Sequence, residues 1–361
     1  MNPERRRIVT GCILRAICIV ACPTGLFSQI ADIPILQREF VYANAPFRSA
    51  HASTIVETPA RTLMAAWFGG SAEGRKDVEI WLSRRPRGGG WSAPVRVTDT
   101  PEMPVWNPVL FQDGENTWLF FKVGPSPREW VGGYRISSDD GQSWSTTRYL
   151  PAGLTGPIRA KPIRLSDGTW LAGTSVEAGY DGNTPEAAPY RSWSVWVERS
   201  TDRGTTWSKQ GPVVDPAESF GVIQPTLWET PGGEIRMLMR STERLGRIMK
   251  ASSKDRGLTW TPATATELPN PNAGIDIVRL KEGLLVLAYN HLRQGRRSIH
   301  LAVSGDEGET WRSPVLLEDG QEELSYPAVI QTADGKVHVT YTWNRTHIRH
   351  LVVDPDKLNR H

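Results

Sequence analysis

The octapeptide SSDDGQSW at residues 137–144 returns as STDRGTTW at 200–207, SKDRGLTW at 253–260 and SGDEGETW at 304–311. All four fit Ser-x-Asp-x-Gly-x-Ser/Thr-Trp. A degenerate copy from Ser83 to Trp91 keeps the tryptophan, so successive tryptophans stand 53, 63, 53 and 51 residues apart. Self-similarity at such a period marks a repeat architecture. Each copy follows a β-like run (YRISS, WVERS, IMKASS, HLAVS), which places it in a turn between two strands. In such a turn the Ser and Asp side chains bond backbone groups and the Gly supplies a positive φ. The Trp is expected to pack between neighbouring sheets, so the motif is read as structural.

Between these copies a strand pair recurs around a hairpin step: HASTIVETPARTLMAAWFGG (51–70), NPVLFQDGENTWLFFK (107–122), KPIRLSDGTWLAGT (161–174), QPTLWETPGGEIRMLMR (224–240), DIVRLKEGLLVLAYN (276–290) and YPAVIQTADGKVHVTYTW (326–343). The Asp-Gly, Gly-Gly and Glu-Gly steps between apolar, partly β-branched runs are hairpin signals. Six pairs, each followed by a third strand, predict an all-β, six-bladed β-propeller over residues 35–355. The sixth blade has a third strand, HIRHLVV, but no fourth. The early segment LQREFVYA (36–43) is expected to supply it, closing the ring and covering exposed edges.

The 361 residues are 39% hydrophobic and 22% charged, as in a folded globular chain. Of 42 basic and 39 acidic residues, four and one fall within the first 22, leaving 38 of each sign in the body. A neutral body argues against nucleic acid as a partner. All three cysteines (Cys12, Cys18, Cys22) also lie in that leader, so neither a disulfide scaffold nor a cysteine metal site is expected in the body. MNPERRR followed by IVTGCILRAICIVAC reads as an export leader over residues 1–30. Ile19-Val20-Ala21-Cys22 resembles a lipobox, which would put a lipid anchor on Cys22. The expected location is periplasmic, extracellular or at the cell surface.

Aligning the six pairs puts His51, Asn107, Lys161, Gln224, Asp276 and Tyr326 in one slot, at the head of each innermost strand. Heads of innermost strands converge at one mouth of a propeller, where a purely structural sheet would carry Val, Ile or Leu. Six polar residues there point to a pocket for a polar ligand. Glu73 and Asp77, after the Gly69-Gly70 turn, join the same rim, as do Arg240 and Asn290 at the ends of second strands and Arg296 or Arg297 at the start of a third.

These residues resemble the sialidase (neuraminidase) superfamily, in particular its BNR/Asp-box members, over nearly the whole body. SYPAVIQTADGKVHVTYTW is similar to the segment carrying the family's nucleophilic tyrosine, which would give Tyr326 that role. MRSTERLGRIMKASSKDRGLTW resembles the segment of the second carboxylate-binding arginine, implying Arg240. RRSIHLAVSGDEGETW resembles the third, implying Arg296 with Arg297 in reserve. Glu73, or Asp77, stands where the family carries its acid/base aspartate. Two positions depart from the pattern. The first arginine aligns with His51, and the glutamate that activates the tyrosine aligns with Gln224. A phenol with a pKa near ~10 needs a proton acceptor at neutral pH, and an amide cannot be one. Asp276 and His51, the ring neighbours of Tyr326, are the candidates.

The resemblance implies an exo-acting glycoside hydrolase on a terminal acidic sugar, with Arg240 and Arg296 on its carboxylate and Lys161 assisting. Asn107, Asn290 and Gln224 complete the candidate binding set. Two other readings stay open: a polysaccharide lyase in which His51 or Tyr326 takes the proton α to a uronate carboxyl, and a glycan-binding propeller without turnover. An acidic glycan or oligosaccharide is the expected partner of a monomeric protein needing neither cofactor nor metal.

Overall fold

The computed structural model describes residues 34–100, 102–179, 191–218 and 220–358; the expected leader and Cys22 lie outside them. Six four-stranded antiparallel sheets form a six-bladed β-propeller. Blade 1 runs outward through Ser49–Glu57, Leu63–Gly70, Glu79–Arg85 and Val95–Arg96. The innermost strands of the next five blades are Val105–Asp113, Ile163–Arg164, Val222–Glu229, Asp276–Arg279 and Leu324–Gln331. The expected closure is present. Ile35–Phe40 pairs antiparallel with His347–Val353 and becomes the outermost strand of blade 6.

The four full Asp-boxes are near copies of each other. In the first, Ser137 Oγ donates to Asp139 Oδ1 at 2.8 Å and accepts from Gly141 N at 2.9 Å, while Ser143 N donates to Asp139 Oδ1 at 2.9 Å. Two left-handed residues make each turn, Asp140-Gly141 and its equivalents Arg203-Gly204, Arg256-Gly257 and Glu307-Gly308. The glycine is needed for space as well as for φ. A Cβ on Gly204 would stand 2.9 Å from the Trp170 ring and 3.1 Å from that of Trp118. Trp207 packs with Trp118 and Phe120 of blade 2 and Trp170 of its own blade, the inter-sheet position expected of it.

The degenerate copy shows what the aspartate does. Without it, Ser83 Oγ is buried with no hydrogen-bond partner. Its tryptophan serves the ring closure instead: Trp91 Nε1 donates to Glu39 of the closing strand at 3.0 Å.

Candidate functional site

Four innermost strands begin with the same β-bulge, visible as a one-residue shift in pairing against the second strand. At the bulge one residue takes a left-handed conformation: Ala52 (φ 57°), Asn107 (41°), Gln224 (51°) and Tyr326 (52°). A bulge re-aims the side chain it carries, and in three of the four a proline, which cannot donate to the ladder, follows. Register therefore corrects one assignment. The blade 1 equivalent of Tyr326 is Ala52, and His51 sits one residue earlier, opposite Phe68.

Tyr326 is the centre of the mouth. Its phenol oxygen accepts from Arg240 Nη1 at 2.7 Å, and the same Nη1 donates to Gln224 Oε1 at 3.0 Å. Arg240 Nε is held by Asn272 Oδ1 at 2.8 Å. The guanidinium carbons of Arg159, Arg240 and Arg296 lie 5.2, 5.8 and 5.7 Å from the Tyr326 ring centroid. Gly274 closes another side, since a Cβ there would be 3.3 Å from the ring. Burial disfavours the phenolate, but the Arg240 and Arg296 charges outweigh it, and with Glu73 opposing they hold the phenol below its ordinary value.

His51 packs against Tyr326 with ring centroids 4.4 Å apart and ring planes tilted by 58°. Its Nδ1 is buried without a partner and its Nε2 is 4.0 Å from Glu323 Oε1, beyond hydrogen-bond range. Burial, then the charges of Arg345, Arg296, Arg159 and Arg240, push its pKa well down, so it is neutral. Glu323 is an anchor on the other side. Burial raises its pKa, but bonds from Arg345 and Ser325 prevail and keep it ionised. Arg345 Nε donates to Glu323 Oε2 at 2.6 Å, Arg296 Nη1 reaches Oε1 at 3.4 Å, and Arg345 Nη1 binds the Glu73 carboxylate. Glu73, Arg345, Glu323, Arg296, Tyr326 and Arg240 thus form one connected group at one mouth.

The other sequence candidates fall outside it. Asp276 is locked below: Oδ2 accepts from Lys161 Nζ at 2.8 Å and Val329 N at 2.9 Å, and Oδ1 from Thr226 at 3.2 Å. With both oxygens engaged it is a brace between blades and no base for Tyr326, and Lys161 is spent in the same pair. Asp77 caps its own loop through Ser71 N and Oγ. Arg297 is exposed and paired with Asp319, so Arg296 is the inward arginine. Asn290 is fully buried and bonds the Ser298 and Leu324 carbonyls at 2.7 Å each, a strand brace. Asn107 is in the slot, 7% exposed. Among the described residues no three His, Cys, Asp or Glu converge to hold a metal ion.

The BNR repeat-like domain family model matches residues 61–339. The chain belongs to that family. Its fold is that of solved propellers of low sequence identity. A Dyadobacter fermentans protein of unknown function superposes with a TM-score of 0.72 at 18% identity, covering 89% of this chain and 98% of that one. A Hadza microbial sialidase gives 0.71 at 19%, over 85% and 66%. The NanB sialidase of Streptococcus pneumoniae gives 0.72 at 12%, over 90% and 71%. A comparison with curated protein sequences finds no match.

In this BNR repeat-like domain, sequence reasoning missed Arg159, Arg345, Glu323 and Asn272. Arg159 is 1% exposed, and its Nη2 donates to the carbonyls of Tyr326 and Pro327 at 2.5 and 2.8 Å, gripping the bulge from beneath. The nearest signal was its place two residues before the slot residue Lys161. Arg345 stands in a two-residue left-handed turn with Asn344, where a sequence reads only a loop charge. Its carbonyl accepts from Ala50 N at 2.8 Å, which brings it beside the blade 1 strand head where the expected first arginine is missing.

Proposed function

We propose that this propeller is a sialidase-type exo-glycosidase that removes a terminal carboxylated sugar. The observation that carries the reading is the phenol of Tyr326 hydrogen-bonded to Arg240 inside a shell with excess positive charge. Among the described residues Arg159, Arg240, Arg296, Arg345 and Lys161 face the acids Glu323, Glu73 and Asp276, the last paired with Lys161 and acting on Arg159. Such a surplus of two suits an anion, and guanidinium forks suit a carboxylate. Arg240 Nη2, which makes no bond to the described protein, is the first donor for it.

In this reading Glu73, which takes up a proton from solvent as substrate enters, gives it to the leaving oxygen while Tyr326 Oη attacks the anomeric carbon and the glycosidic C–O bond breaks. Glu73 then takes a proton from water, whose oxygen displaces Tyr326 from the sugar. Neither Gln224, an amide, nor Asp276, bound elsewhere, takes the phenol's own proton. His51 is a poor acceptor amid four guanidiniums. The Arg240 and Arg296 charges, which lower the pKa of the phenol, therefore do the activating and ease loss of its proton to solvent as it attacks.

The test is a panel of aryl glycosides of 2-keto-acid sugars and of uronates, with product mass and ultraviolet absorbance both recorded. Release of a saturated acidic sugar, reduced about 10³-fold or more by Tyr326→Phe, is the expected result. The His51–Tyr326 ring contact is the observation that favours a lyase. An unsaturated, ultraviolet-absorbing product would select it. Silence across the whole panel removes both.

A further inference from the structure

Two fully buried charges have no part in the chemistry above. Lys122 stands at the mouth end of the second strand of blade 2 (Asn116–Val123), and Glu198 in the third strand of blade 3 (Ser192–Ser200); both are 0% exposed. Burial lowers the Lys122 pKa to about 7 against the opposing charge of Glu198, and raises that of Glu198 against bonds from Thr155 and Gly156. Charges sealed from water in this way are a poor source of stability, so their use lies in what they hold.

They hold residues 155–158, where blade 3 lacks a ladder. Its innermost strand is two residues long, Ile163–Arg164, while those of the other blades have four to nine. Side chains fasten the chain instead. Thr155 N and Gly156 N donate to the two oxygens of Glu198 at 2.8 and 2.7 Å, and Pro157 O accepts from Lys122 Nζ at 2.8 Å. Ile158 N donates to Gly173 O at 2.9 Å. Proline has no N–H, so every backbone donor of the segment is satisfied, two of the three by Glu198.

The next residue is Arg159. Its Nη2 grips the carbonyls of Tyr326 and Pro327, and its guanidinium carbon lies 5.2 Å from the Tyr326 ring centroid. Its Nε is buried without a partner, so nothing along the stem of the side chain fixes it. The guanidinium goes where the backbone before it is placed. A shift of residues 155–158 would move the grip on the bulge and the charge beside the phenol together.

We propose that Lys122 and Glu198 are positioning residues for Tyr326. They replace the missing ladder of blade 3 and so keep Arg159 beneath the bulge that presents the phenol. The kinetic consequence rests on the glycosidase reading; the effect on the phenol does not.

The experiment titrates the phenolate absorbance of Tyr326 in the full chain, as the difference from the same protein carrying Tyr326→Phe, and measures kcat on an acidic glycoside beside it. Lys122→Met should move the ionisation to higher pH and lower kcat about 10-fold, with KM nearly unchanged. In the Arg159→Met background the same substitution should change neither, since residues acting through one another are not additive. Lys122→Met leaves the Glu198 charge uncompensated; Lys122→Met/Glu198→Gln removes both charges, still loosens the segment, and gives the reading if the single variant does not fold. An unshifted ionisation with unchanged kcat overturns the proposal, and so does an equal loss with and without Arg159. A shifted ionisation in a protein that turns over no acidic glycoside keeps the positioning and removes the glycosidase reading. Turnover with an unshifted ionisation does the reverse.

Discussion

The two ends of the propeller obey opposite rules. At the Asp-box end four blades repeat one set of bonds: the Gly N to Ser Oγ distance is 2.9, 2.8, 2.8 and 2.9 Å in turn. At the mouth, equivalent bulges carry Ala52, Asn107, Gln224 and Tyr326, with four different fates. Repetition shows where each blade needs the same fastening. Divergence on a repeated backbone shows where the fastening is already supplied and the side chain is free for a ligand. Substitutions at the two ends should therefore separate turnover from stability.

The largest separation is expected from Tyr326→Phe against Asp202→Ala. The first should cut kcat about 10³-fold or more with Tm nearly unchanged. The second removes the acceptor for Thr206 N and Oγ1 and for Ser200 Oγ, and should lower Tm while kcat per folded molecule holds. Parallel kinetics and thermal melts on both variants check it. A mouth substitution that costs mainly Tm, or an Asp-box substitution that costs mainly kcat, would erase the distinction.

Arg159→Met comes next, with about a 10- to 100-fold loss in kcat. Removing the grip on the Tyr326 and Pro327 carbonyls frees the bulge, and removing a buried charge makes the phenolate harder to form. A mere packing defect would not move the second quantity. Phenolate absorbance, taken as the difference from Tyr326→Phe, should therefore titrate at higher pH in Arg159→Met, with partial recovery in Arg159→Lys.

What a sequence can and cannot say follows the same division. The Asp-boxes and hairpin steps were legible because each is local: Ser137, Asp139, Gly141 and Ser143 bond one another within seven residues. Tyr326 and Arg240 were found because they stand at repeat-equivalent positions, and the closing strand because an unpaired blade edge demands one. His51 was misplaced by one residue because a bulge shifts register without leaving a mark where no proline follows. Asp276 was misread because its partners, Lys161, Thr226 and Val329, come from blades 3, 4 and 6. Arg159 works from blade 3 on blade 6, and Arg345 joins blade 6 to blade 1 through Glu73, pairings far apart in sequence where spacing carries no information.

Gly204→Ala probes the architectural end without touching an acid. The added Cβ meets two rigid indoles at 2.9 and 3.1 Å and forces alanine to a φ of 84°. About 2–3 kcal/mol of stability should go, by denaturant unfolding, with kcat intact at low temperature. Alanine tolerated there would mean that the box glycine is a convenience and that the inter-blade contact yields easily.

The smallest effect is expected at the seam between blades 6 and 1, which belongs to neither rule. Glu39 of the closing strand accepts from Arg85 at 2.6 Å and Trp91 at 3.0 Å, both of blade 1. It also meets His350 Nδ1 at 2.9 Å, and His350 Nε2 meets His338 Nδ1 at 2.9 Å. Burial, with His350 and Arg85 adding to it and Asp334 and Glu39 opposing, holds the His338 pKa down to about 3; burial also lowers that of His350, against Glu39. A histidine whose folded pKa is depressed stabilises fully above its unfolded pKa and loses that contribution as pH falls toward the folded one. The window here opens near ~6.5 and runs down to about 3. On account of His338 alone the fold should be about 2 kcal/mol less stable at pH 5 than at pH 7.5. Urea midpoints at the two pH values should show a smaller difference in His338→Gln. A wild-type stability that rises on acidification over this range would mean the chain closes through a charged histidine, and the seam would then be a latch that tightens in acid.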